Sequence, residues 1–198
     1  TPRNFDRQSH GEVPLHRALA SSWNQATARL GMALGVPSVV DMLRRLGLRQ
    51  EVPRVPSLVL GAGEYSPLMM ARIYQTIAVD GTRTPLRSIR SIVNREGEVL
   101  RRNFTEYERV VDPEAVHLLR YALREVVREG TGRGVYRYLD DDFHVAGKTG
   151  TTNDGRDSWF AGFSGDLLAV TWIGRDNNAA TGLTGSSGAL RVWADFMA

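Results

Sequence analysis

Two short segments carry side chains whose types and spacing could do chemistry: Ser22-Trp23-Asn24 and Lys148-Thr149-Gly150-Thr151-Thr152. A lysine can activate a serine hydroxyl directly or through a second hydroxyl. An amide two residues further on can hold a substrate by donating and accepting at once. In the second segment, an amine beside a row of hydroxyls suits an anionic group such as a carboxylate. Lys148 is the only lysine in the chain, against 24 arginines. An ammonium is a compact charge whose pKa moves readily, whereas a guanidinium stays charged at any working pH. Position 148 therefore either needs an amine or kept one by chance, and composition leaves both open. Ser-x-Asn is equally open, because helix caps and turns use the same residues.

Gly147-Lys148-Thr149 also invites a phosphate-loop reading. That motif needs a glycine at position 142, where Asp142 would repel the phosphate. Nucleotide binding is set aside, and the segment reads as a strand. Alternation then puts Lys148 and Gly150 on one face and Thr149 and Thr151 on the other. An exposed edge of this kind can pair with an extended peptide, with Gly150 leaving room for close approach.

The elements that must position these residues follow from caps and periodicity. A short helix from Pro14 to Ala20 runs into Ser21-Ser22-Trp23-Asn24, and a second helix resumes from Gln25 to Leu34, stopping at Gly35. Ser22 and Asn24 thus fall at a helix-to-helix corner. Further helices are predicted over Pro37–Leu46, from the Ser66-Pro67 cap through Val79, and from Asp112-Pro113 to Gly130. Ile89–Val93 and Val99-Leu100 flank a glycine-containing turn and predict a small structural hairpin. Strands are predicted over His144–Thr151, Ser158–Ser164 and Leu167–Arg175, the last two joined by Gly165-Asp166, with an amphipathic helix from Ala189 to Phe196. Helices first and a late antiparallel sheet make an α+β fold, an antiparallel sheet packed with helices.

With 198 residues, 42% of them hydrophobic and 24% charged, the chain has enough apolar material for a single domain spanning 1–198. Net charge is only +3 and the arginines are scattered, so no nucleic-acid partner is expected. Zero cysteines excludes disulfides, thiolate metal sites and a cysteine nucleophile. The four histidines show no ligand spacing, so no metal and no cofactor are expected. No apolar run approaches the roughly 18 residues of a membrane span. Trp159, Phe160, Trp172 and Trp193 read as core residues.

Ser22-Trp23-Asn24 with Lys148-Thr149-Gly150 resembles the second and third motifs of the penicillin-recognising serine enzymes, whose first motif is Ser-x-x-Lys. The similarity extends through Pro2-Arg3-Asn4-Phe5-Asp6, Gly11-Glu12-Val13, Arg17-Ala18-Leu19-Ala20, Gly130-Thr131-Gly132, Asp157–Gly162 and Trp172–Asp176. These segments resemble the bifunctional class A penicillin-binding proteins, and among them the penicillin-binding protein 1b group. The resemblance implies a partial transpeptidase fold of β-lactamase-like type. It also implies an acyl-enzyme that cross-links peptidoglycan stem peptides and is formed by β-lactam antibiotics. Ser22 would relay a proton, Asn24 would bind the substrate amide, and Lys148 would support the carboxylate and the hydrogen-bond network. Thr149, Gly150, Thr151 and Thr152 would line the binding edge, with the Thr151 N–H forming half of an oxyanion hole.

One departure is large. A Ser-x-x-Lys motif would have to end at Lys148, and three residues earlier stands Val145. The nucleophilic serine is therefore expected upstream, making 1–198 the C-terminal portion of a transpeptidase domain, inactive alone. The resemblance also places a glycosyltransferase domain and a membrane anchor outside this chain. It implies location at the periplasmic face of the bacterial inner membrane, with a lipoprotein activator and division proteins as partners. The alternatives are a β-lactamase or D,D-carboxypeptidase on the same scaffold, or a non-catalytic peptidoglycan-binding module.

Overall fold

The computed structural model describes residues 2–198. Among the described residues are six α-helices: α1 (Leu15–Ala20), α2 (Asn24–Leu34), α3 (Val36–Arg45), α4 (Pro67–Ala78), α5 (Pro113–Arg128) and α6 (Ala189–Met197). The strands are β1 (Thr82–Arg83), β2 (Ser91–Val93), β3 (Val99–Arg102), β4 (Glu108–Arg109), β5 (Ala146–Thr151), β6 (Ser158–Ser164) and β7 (Leu167–Ile173). The fold is α+β, as expected.

The sheet that matters is antiparallel, in the order β5-β6-β7. The central strand carries the near-continuous apolar run Trp159-Phe160-Ala161-Gly162-Phe163, as a strand covered on both faces should. Phe160 packs into one core with Val127, Val135 and the α6 residues Leu190, Trp193 and Ala194. Ala161 and Phe163 face the other, with Ile73, Tyr74 and Ile77 of α4 and Val116 and Leu123 of α5. A helix–sheet–helix sandwich results, and β5 is left as an open edge.

The capped helices formed where their caps predicted: the Ser66 hydroxyl accepts from Met69 N–H and the Asp112 carboxylate from Glu114 N–H. The hairpin expected about the turn at 94–97 is present, one short ladder is additional, and one core expectation needs correction. The β2–β3 hairpin forms, but every one of its strand residues is exposed, so it supports neither core. The β1–β4 ladder, two residues long on each side, was not foreseen, because so short a strand leaves no alternation to read. Trp172 is 39% exposed, pairs with Trp159 across the β6–β7 ladder, and its indole N–H donates to Asp157 at 3.0 Å.

Candidate active site

Ser22 stands in a turn that its own sequence does not announce. The Trp23 N–H donates to Ala18 O and the Ser22 N–H to Leu19 O, while Ser22 itself sits at φ 55°. These two bonds around a left-handed residue are the Schellman ending of a helix, where glycine usually takes the left-handed position. A serine there costs about 1 kcal/mol relative to glycine. The strain holds its hydroxyl off the end of α1, across the chain from β5.

The Lys148 ammonium donates to the Ser22 hydroxyl. It donates also to Thr149 O at 2.9 Å, and Nζ lies 3.4 Å from Thr149 Oγ1. In the β5–β6 register Lys148 faces Ala161 and Thr149 faces Phe160, so the two side chains leave opposite faces as alternation requires. They converge at the unpaired edge of β5. Burial lowers the Lys148 pKa to about 8. Main-chain groups alternate in direction along an antiparallel strand, so Thr151, two residues beyond Thr149, turns its N–H to the same open side. An amine near its titration point, a shared hydroxyl and a free backbone N–H thus line one strand edge.

That set fits acyl transfer, and the comparisons bear on it. The profile of the penicillin binding protein transpeptidase domain matches residues 2–178. The chain belongs to that family. It is 47% identical over its full length to penicillin-binding protein 1B of Vibrio cholerae and 42% identical to that of Escherichia coli. It spans about a quarter of each, covering 25% and 24% of those proteins. Among solved structures, penicillin-binding protein 1A from Haemophilus influenzae superposes at a TM-score of 0.92 and 24% identity, over 99% of this chain and 35% of that one. The PonA1 protein from Mycobacterium tuberculosis in complex with penicillin V superposes at 0.85 and 21% identity, over 98% of this chain and 58% of that one. These likenesses establish the fold as that of penicillin-binding transpeptidase domains.

Within this transpeptidase domain the remaining expected residues behave differently from one another. Asn24, the first residue of α2 and expected to bind the substrate amide, has its amide donating to Arg3 O at 2.9 Å. The reason is the N-terminal segment, which crosses the corner: the Asn4 side-chain oxygen Oδ1 accepts from Gln25 N–H, and the Asn4 side-chain amide donates to Gln8 O. His10 stacks on Trp23 with ring centroids 4.0 Å apart, so the corner is latched from outside. Gly150 was expected to make room for a ligand; a Cβ there would also lie 3.0 Å from Trp159 Cβ, so cross-strand packing favours the glycine as well. Thr152 was expected to bind substrate. Its hydroxyl donates to the Asp157 carboxylate and accepts from Asp157 N–H, leaving it no proton for a ligand, and it holds the β5–β6 turn.

Two further groups shape the edge. The Gly185 N–H donates to Thr151 Oγ1 at 2.9 Å, clipping the glycine-rich loop before α6 onto the end of β5. Ser158, wholly buried, donates to Thr184 O and accepts from Ala189 N–H, anchoring that loop and capping α6 together. The glycine-rich stretch was visible in the sequence, but its target was not. Among the described residues no group of three or more His, Asp or Glu side chains could hold a metal ion. Two surface concavities of about 510 and 610 Å³ share no residue with the site.

Proposed function

We propose that this domain serves a serine D,D-transpeptidase that cross-links peptidoglycan stem peptides and is acylated by β-lactams. The observation that carries this reading is the bond from the Lys148 ammonium to the Ser22 hydroxyl beside the open edge of β5. The nucleophile is a serine of a Ser-x-x-Lys motif outside residues 1–198. Its oxygen attacks the carbonyl of a D-Ala-D-Ala peptide bond, a C–O bond forms, and the C–N bond to the terminal D-Ala breaks. The proton released by the serine reaches the leaving amine through Ser22, whose hydroxyl gives one proton as it takes another. An amine of a second stem peptide then attacks the acyl-enzyme and frees the serine. A β-lactam undergoes the first step alone, its ring C–N bond opening.

With its pKa near 8, Lys148 is roughly nine parts in ten ammonium at pH 7. In that form it donates to Ser22 and offers positive charge to the substrate carboxylate, with the Thr149 and Thr151 hydroxyls beside it. The Thr151 N–H stabilises the tetrahedral oxyanion, where a lost donor costs about 10² to 10³ in rate. Asn24 binds the substrate amide once the peptide lies along the edge. The whole protein adds a glycosyltransferase domain and a membrane anchor, and works at the periplasmic face of the bacterial inner membrane. There a lipoprotein activator and division proteins are its partners. The test is transpeptidation by that whole protein: Ser22→Ala should abolish cross-linked product from D-Ala-D-Ala stem peptides, and unchanged cross-linking would overturn the reading.

A further inference from the structure

Thr131 lies in the turn that closes α5, within the Gly130-Thr131-Gly132 segment that carries part of the family resemblance but to which no site role was assigned. Its backbone N–H donates to Ala20 O, at the end of α1, at 3.1 Å. Its hydroxyl lies 2.6 Å from Thr149 Oγ1. The approach depends on the residue before it, since a Cβ on Gly130 would lie 2.2 Å from Ala20 O. One residue therefore joins the helix end that presents Ser22 to the strand that presents Lys148 and Thr149.

Each hydroxyl has one proton, so the pair has two arrangements. If Thr149 donates to Thr131, Thr149 shows only lone pairs to the open edge and repels an anion. If Thr131 donates to Thr149, the Thr149 proton is free to point at a ligand, and Lys148 Nζ, 3.4 Å away, reinforces the same polarity. A carboxylate at the edge selects the second arrangement, because hydrogen bonds to charged acceptors are the stronger ones. We propose that Thr131 is a positioning residue for carboxylate selectivity, its hydroxyl fixing Thr149 as a donor to the anionic group of the ligand. This rests on the transpeptidase reading above.

The experiment measures the second-order acylation rate of the whole protein by benzylpenicillin and by its methyl ester, which keeps the ring and removes the anion. The Thr131→Val variant keeps the backbone bond to Ala20 and the side-chain shape, and loses only the hydroxyl. Benzylpenicillin should then react about tenfold more slowly or worse, and the ester less than about threefold more slowly. Thr131→Ser should restore benzylpenicillin to within about threefold of the parent. Equal losses with both probes, or no loss with either, would overturn the inference while leaving the function standing. A parent protein that reacts with neither probe would overturn the function, and the inference with it.

Discussion

Ser22 and Lys148 stand 126 positions apart, and the lysine ammonium donates directly to the serine hydroxyl. The serine reaches that point only by occupying a left-handed position at the end of α1. The proposed relay and local backbone stability are opposed at this residue. Ser22→Gly should relieve the backbone and leave the chain about 1 kcal/mol more stable than Ser22→Ala, while both lose the relay. Denaturant unfolding of the two variants checks the first part. Equal stabilities would show that the turn carries no strain.

Ser22→Ala should slow β-lactam acylation of the whole protein by about a hundredfold or more, with a smaller change in initial binding, since the hydroxyl acts on proton transfer. Asn24→Ala should weaken both, because it removes a substrate contact. Stopped-flow acylation across a range of β-lactam concentrations separates the two quantities. A Ser22→Ala effect confined to binding would remove the relay from the mechanism.

Lys148→Arg keeps the charge but widens the head group and abolishes titration. The ammonium fits between Ser22 Oγ and Thr149 O, a space set by the turn and the strand. Most acylation should be lost, by about two orders of magnitude. Near-parental kinetics would mean that position 148 needs only a positive charge.

Burial lowers the Lys148 pKa to about 8 from an ordinary 10.5. Below pH 8 folded and unfolded chains both carry the proton, and the cost of the buried charge is fully present. Between about 8 and 10.5 the folded chain has released its proton while the unfolded chain keeps it, so stability contributed at this site rises with pH. Above that range there is no further change. Tyr74, whose burial pushes its phenol pKa up, acts oppositely above pH 10. The difference in unfolding free energy between parent and Lys148→Met isolates the lysine, and it should shift in the parent's favour as pH rises from 8 to 10. A flat difference would contradict the lowered pKa.

The central sheet and the capped helices were legible because each is written locally. Ser158–Ser164 holds the near-continuous apolar run 159–163 and is followed by Gly165-Asp166, and Ser66 and Asp112 each precede a proline at a helix start. The pairing of Ser22 with Lys148 came from family resemblance, and no periodicity could have supplied it. What stayed hidden depends on contacts between distant segments. Asn24 is drawn to Arg3 O by a latch whose anchor, Asn4, looks like any loop asparagine. Thr131 and Gly185 act through one hydroxyl and one backbone N–H that have meaning only beside β5.

Asn4 is 4% exposed and bonds at both ends of its amide, tying the N-terminal segment to the start of α2. Asn4→Ala should destabilise the chain by about 1–3 kcal/mol by stranding the Gln25 N–H and the Gln8 carbonyl. A loss below about 0.5 kcal/mol in thermal or denaturant unfolding would show that the latch does not support the corner.

The proposed function requires acyl transfer at a serine outside these 198 residues, assisted by Ser22 and Lys148. Peptide mapping of the covalent adduct formed with a fluorescent penicillin tests it most directly, run on the whole protein and on residues 1–198 alone. The predicted result is a stoichiometric adduct on the whole protein, located on the serine of a Ser-x-x-Lys motif, and none on the isolated chain. An adduct mapped to any residue within 1–198, or a whole protein that is folded and unlabelled, would contradict it.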